Sequence, residues 1–193
     1  RLKVKKMSSN PKIFKAQKLK GKTLAFRDVT IDDANFIFSL RMDSKKGRHL
    51  SQTSSDIRDQ ITWIENYANN DGEAYFIIEN LEGLALGTIR IYDAQGDSFC
   101  WGSWILKDSA PISTAIESAL MMYSYAFEHL KFKKAHLNMR KDNHKVRKFH
   151  EFCGAWYVGE TELDDLYEYN IEKFIELQKK TDMYLTESIV VER

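Results

Sequence analysis

Apolar positions along the chain alternate between a spacing of two and a spacing of three to four, and the switches divide it into elements. Residues 24–30 (LAFRDVT) alternate and predict a strand. Thr30, with Asp33 three residues on, reads as a capping box that opens a helix over 31–42, where Ala34, Ile37, Phe38 and Arg41 recur at helical spacing. A polar stretch over 43–55 follows. A second helix starts near Ser55, with Ile57, Ile61, Ile64 and Tyr67 on one face, and stops before Asn69-Asn70-Asp71-Gly72. Strands are predicted over 74–80, 84–92 and 98–106, with Glu82-Gly83 and Gln95-Gly96-Asp97 where hairpin turns belong. A helix over 112–130 carries a broad apolar stripe that includes Ile116, Ala119, Leu120, Tyr123 and Phe127. A strand over 134–140, a short helix within 140–155 and a strand pair at 155–160 and 165–174 complete the order. Residues 175–193 read as a helix and a short tail.

This order fits neither a doubly wound parallel sheet nor a barrel. It predicts an α/β fold with a central mixed, mostly antiparallel sheet of about six to seven strands and about four helices on both faces. The strand–helix–strand segment 98–140 requires a right-handed crossover, which makes its two strands parallel neighbours. One domain over 23–175 is expected, preceded by a basic tail at 1–22 and followed by a helix or tail at 176–193.

Charge changes the picture of the ends. The chain of 193 residues has a net charge of +1, yet residues 1–22 hold nine Lys/Arg and no acid, which leaves 20 bases against 28 acids in the rest. An acidic body argues against a nucleic-acid partner, which needs a basic face. Cys100 and Cys153 form neither a disulfide framework nor a metal-ligand spacing, so no metal is expected and a reducing, cytoplasmic setting is. No apolar run approaches the ~18 residues of a membrane span, so no membrane partner is expected.

The stretch RKDNHKVRKFHEFCGA, residues 140–155, concentrates the candidate chemistry. Asn143 stands at a helix start and His150 about two turns later on the same face, and Gly154 ends the helix as a C-cap glycine does. Asn143 can cap backbone N–H groups or hold a ligand. His150 is either a half-buried structural residue or a proton carrier, with an ordinary pKa near 6.5 suited to neutral pH.

Together with the element order, this stretch resembles the GCN5-related N-acetyltransferase (GNAT) superfamily over about residues 24–174. The family pattern of Asn, a small residue, Tyr, and Gly followed by an aromatic is met by Asn143, Val146, His150, Gly154 and Ala155, with His for Tyr and Ala for the aromatic. The resemblance implies acetyl-coenzyme A as donor, an amine as acceptor, and a sheet splayed at the cofactor cleft. It implies that His150 protonates the leaving thiolate. It also assigns Ile105, Leu106, Lys107, Ser113, Thr114, Ala115, Ile116, Asn138, Asn143, Val146 and Phe149 to the coenzyme. The family's glycine-rich pyrophosphate loop is missing from KDSAPISTAIESAL (107–120), where Pro111 donates no N–H but suits a first helical turn. The helix start then binds pyrophosphate in a modified way, or is merely capped.

For the acceptor, the stretch 43–55 offers His49 as a base and Thr53 as a contact, with Arg41 for a phosphate or carboxylate and Trp101 facing the acceptor cleft. Each has a plainer reading: an exposed His, a surface ion pair, a core indole. Cys153 reads as a buried thiol. A small amine, with a nucleotide-linked amino sugar favoured, is the expected acceptor. An N-terminal acetyltransferase of ribosomal or other proteins, and a non-catalytic binding module, stay open, as does a homodimer.

Overall fold

The computed structural model describes residues 9–193 apart from 44, 46 and 48–53. Its strands are β1 (Lys18–Lys20), β2 (Leu24–Asp28), β3 (Ala74–Asn80), β4 (Ala85–Gln95), β5 (Ser98–Leu106), β6 (Lys134–Arg140), β7 (Trp156–Glu160), β8 (Asp164–Asn170) and β9 (Val190–Glu192). The helices are α1 (Ala34–Met42), α2 (Ile57–Asn69), α3 (Ser113–Ser124), α4 (His144–Cys153) and α5 (Ile171–Lys180). The expected mixed α/β fold is present. One open sheet runs β7-β8-β6-β5-β4-β3-β2-β1-β9. Every pairing is antiparallel except β5 with β6, the pair that the crossover through α3 makes parallel.

The ends depart from the sequence expectation. From residue 9 the basic stretch is packed on the domain: it supplies β1, buries Ile13 and Ala16, and pairs β1 with β9. Lysines of the expected basic tail have specific partners. Lys15 donates to the Tyr67 carbonyl, with its Nζ 4.2 Å from the Tyr67 ring centroid, and Lys20 pairs with Glu192 at 2.6 Å. The expected strand over 165–174 ends at Asn170, whose side chain caps α5 through the Lys173 N–H at 3.0 Å. The two short strands at the ends raise the sheet to nine.

Both faces of the sheet are covered. On one face Ile116, Leu120, Tyr123 and Phe127 of α3 and its continuation pack with Phe99, Trp101, Ala135, Leu137, Tyr169 and, from α5, Phe174 and Leu177. The long helix leaves α geometry at its end, where Tyr125–His129 form a π-helical turn. Glu117, 1% exposed, accepts the N–H of Thr23 at 2.6 Å and of Leu24 at 3.1 Å, which ties α3 to the start of β2. On the other face α1 and α2 bury Ala34, Ile37, Ile64 and Tyr67 against Val29, Tyr75 and Ile77.

The capping box at Thr30 is present. The Thr30 N–H donates to Asp33 at 2.8 Å, and Arg27 forks onto the same carboxylate at 2.8 and 2.9 Å. Burial alone would raise the Asp33 pKa, but the bonds from Arg27 and Thr30 hold it below the usual range.

Candidate active site

β5 and β6 are paired only at Ser98 with Lys134 and Phe99 with Ala135, and then diverge. The cause lies on the other side of β5. Its pairing with β4 steps from Arg90–Gly102 to Thr88–Ile105, so β5 carries one extra residue. Ser103 sits in that bulge with φ of 45°, a left-handed conformation rare for a residue with a Cβ, and Thr88 Oγ1 holds its carbonyl at 2.8 Å. β4 and β5 approach so closely beside the bulge that a Cβ on Gly87 would lie 2.2 Å from the Ile105 carbonyl oxygen. Between β5 and β6 this leaves a V-shaped cleft, bordered by the starts of α3 and α4.

Most of the residues assigned to the coenzyme border this cleft. Ile105 is buried, while Leu106 and Lys107 are half-buried at the end of β5, where the Lys107 N–H bonds the Leu86 carbonyl at 2.8 Å. No side chain caps α3, so its first-turn donors rely on backbone or ligand. The Thr114 N–H already bonds the Pro111 carbonyl at 2.9 Å, but Thr114 Oγ1 is buried without a partner among the described residues. Ser113 and Ala115 are half-buried beside it, and Ile116 is buried. The bulge is braced to this turn: Trp104 Nε1 donates to Ser118 Oγ at 3.1 Å, and Ser118 to the Ala115 carbonyl at 3.0 Å. Asn138 lies on β6 past the point of divergence, with its backbone N–H directed at the buried Cys100 sulfur.

α4 forms the other wall. Asn143 Oδ1 accepts the Val146 N–H at 3.4 Å, so the capping role is real. Gly154, with φ of 104°, closes the helix, and the Ala155 N–H returns to the His150 carbonyl at 3.0 Å. His150 is 5% exposed and lies in an aromatic box: ring centroids are 5.1 Å away at Trp101, 5.9 Å at Phe149 and 6.5 Å at Trp104. Burial lowers its pKa to about 4, so the imidazole is neutral at pH 7. The expectation of an ordinary pKa gives way for this reason: an apolar box disfavours the imidazolium. Phe149 stacks obliquely on Trp104 at 4.9 Å.

The acceptor residues divide. Trp101 is 4% exposed and packs against Tyr123 and His150, on the α3 side of the sheet, so the core reading holds for it. Arg41 ends α1 and lies beside Tyr75 on the α1–α2 side. His49 and Thr53 lie outside the described residues. On the same side as Arg41, Arg90 is set between Trp63 and Tyr92 with its Nε 2.6 Å from Glu73. These four were passed over in the sequence, although the period-two pattern of β4 carries the signal: Thr88, Arg90 and Tyr92 alternate with Ile89 and Ile91. Among the described residues there is no group of His, Cys, Asp and Glu that could hold a metal, and no helix is long and apolar enough to cross a membrane.

Comparison with known proteins agrees with this geometry. The Acetyltransferase (GNAT) domain family matches residues 23–155. Among solved structures, apo FdhC, a nucleotide-linked sugar GNAT, is 36% identical, with a TM-score of 0.77 over 87% of this chain and 98% of FdhC. A GCN5-related N-acetyltransferase from Brucella melitensis is 11% identical, with a TM-score of 0.74 over 91% of this chain and 88% of the other. The spermidine N-acetyltransferase from Vibrio cholerae, in complex with CoA and spermine, is 18% identical, with a TM-score of 0.66 over 79% and 98%. The last two show a shared fold. No curated protein matches the chain.

Proposed function

We propose a donor and an acceptor for this protein, which belongs to the acetyltransferase (GNAT) domain family and is an N-acetyltransferase. The donor is acetyl-coenzyme A, and the acceptor is an amino sugar carried on a nucleotide. The observation that carries the acceptor reading is the 36% identity to a nucleotide-linked sugar GNAT over 98% of that chain. The donor reading is supported by the cleft between β5 and β6, the uncapped start of α3 and the unpartnered Thr114 hydroxyl, which together suit an anionic group and an extended arm.

Bound acetyl-coenzyme A supplies an activated carbonyl and a thiolate leaving group. The protein's own residues do the rest. The first turn of α3, with Ser113 and Thr114, holds the pyrophosphate. The end of β5 at Ile105, Leu106 and Lys107 and β6 at Asn138 hold the arm, and Val146 and Phe149 wall it from α4. Asn143 fixes the start of α4 through the Val146 N–H, which sets where His150 stands. Because His150 is neutral at pH 7, it serves the sulfur as a hydrogen-bond donor and not as an imidazolium. Attack by the neutral amine forms the C–N bond and breaks the C–S bond, and the proton lost by the nitrogen passes by solvent to the thiolate.

A polyamine acceptor is the second reading, since a spermidine N-acetyltransferase shares the fold. Two arginines beside Tyr75 oppose it, because a polycation prefers carboxylates. The donor reading is tested by calorimetric titration with coenzyme A, followed by thiol release from acetyl-coenzyme A when UDP- or dTDP-linked amino sugars are added. Saturable coenzyme binding and acceptor-dependent thiol release are expected. Absence of coenzyme binding at millimolar concentration refutes the donor.

A further inference from the structure

The α1–α2 side of the sheet holds a built cluster around Arg90. Its guanidinium carbon lies 5.1 Å from the Trp63 ring centroid and 4.6 Å from that of Tyr92. Glu73 accepts from its Nε at 2.6 Å and also from Nη2. That uses one edge of the guanidinium. The far edge, with Nη1, meets no acceptor among the described residues, and the side chain is 25% exposed. A guanidinium fixed by a carboxylate and two rings, with a fork of donors left over, is a receptor for a planar or tetrahedral anion.

Its neighbours favour one kind of anion. Arg90 pairs with Tyr75 on one side and Gly102 on the other. Tyr75 is 2% exposed, and its hydroxyl has Arg41 and Thr88 beside it. Burial pushes that hydroxyl up, while the charges of Arg41 and Arg90 both pull against it, and Arg90 is the cross-strand partner of Tyr75. Gly102 has no side chain, which leaves room for the Tyr92 ring beside Arg90: a Cβ there would lie 3.1 Å from the Tyr92 hydroxyl. The residue after Gly102 is Ser103, the bulge that opens the donor cleft. At ~3.3 Å per strand residue, a group held on Arg90 is about one sugar ring away from that cleft.

Resting on the nucleotide-sugar reading, we propose that Arg90 and Arg41 together hold the acceptor's diphosphate. Arg90 takes the phosphate next to the sugar, Arg41 the one beyond it, and Trp63 and Tyr92 wall the sugar ring. Arg90 is thus a specificity-determining residue, and Glu73 is the positioning residue that aims it. A plain ion pair bracing the start of β3 to β4 would make different demands: a lysine, which keeps the charge and can still reach Glu73, would satisfy the brace but not a forked phosphate contact.

The experiment compares wild type, Arg90→Lys and Arg90→Gln in steady-state kinetics with UDP- and dTDP-linked amino sugars, and uses UDP and dTDP as inhibitors. Both variants are expected to raise the acceptor KM roughly tenfold or more, with the acetyl-coenzyme A KM unchanged. UDP or dTDP should compete with the acceptor and weaken by the same factor. If Arg90→Gln fails to fold, Arg90→Lys decides. An Arg90→Lys enzyme with wild-type acceptor KM and wild-type inhibition overturns the proposal and leaves the nucleotide-sugar activity standing. A wild type that acetylates other amines but no nucleotide sugar overturns the function itself, and the phosphate assignment with it.

Discussion

His150 meets Trp101 at 5.1 Å between ring centroids, and neither His150 Nδ1 nor Trp101 Nε1 has a hydrogen-bond partner among the described residues. The contact is part of the burial that keeps the imidazole uncharged in the cleft wall, where the proposed function puts the donor's sulfur.

It follows that acid costs stability at this site. The folded pKa of about 4 lies below the ordinary value of 6.5, so between them the unfolded chain binds the extra proton and the folded one does not. Stability from this group is whole above pH 6.5 and falls as pH drops toward 4. Melting temperature measured across that window should fall more steeply for wild type than for His150→Phe. Parallel curves would show that His150 titrates normally.

For catalysis, His150→Phe should lower kcat about tenfold, the worth of one hydrogen bond to a charged group, with acetyl-coenzyme A affinity unchanged. His150→Tyr should recover part of the loss. Calorimetry with coenzyme A separates the two effects. Equal kcat in Phe and wild type would leave His150 a packing residue.

Thr114→Val keeps the shape of a side chain that is 1% exposed and removes only the unpartnered hydroxyl. Coenzyme A should bind several-fold more weakly, consistent with one lost hydrogen bond of ~1 kcal/mol, while the melting temperature without ligand holds or rises. Unchanged coenzyme affinity would remove Thr114 from the pyrophosphate site.

Gly87→Ala puts a methyl 2.2 Å from the Ile105 carbonyl, and backbone has to move. A loss of ~2 kcal/mol or more in denaturant unfolding is expected, together with weaker coenzyme A binding, because the bulge shapes the cleft. Ser103→Gly should relieve the left-handed backbone and raise stability slightly. If Gly87→Ala binds coenzyme A as wild type does, the bulge does not set the cleft.

How far the sequence foretold this site can be read from particular residues. Apolar periodicity placed α2 and β3 to β6 within a few residues, because each buries a face against the sheet or its helices. The ends escaped it, since β1 and β9 are three-residue strands stabilised by long-range pairing that leaves no local period. Asn143 and Gly154 were legible because caps are local. The state of His150 was not, since its burial is made by Trp101 and Trp104, more than 40 residues away. That Trp101 is buried against Tyr123 and His150 has no local signal, and the bulge after it brings Trp104 to the same side. Arg90 showed only as a polar residue in an alternating strand, and its partners Glu73 and Trp63 come from other elements.

The central claim is a nucleotide-linked amino sugar as acceptor, and the measurement that bears on it most directly is kcat/KM on one enzyme preparation for UDP- and dTDP-linked amino sugars, spermidine and an N-terminal Ala or Ser peptide, with acetyl-coenzyme A saturating. A nucleotide amino sugar should exceed the other amines by roughly a hundredfold or more, the range that paired phosphate contacts supply. A higher kcat/KM for spermidine or the peptide would contradict the account.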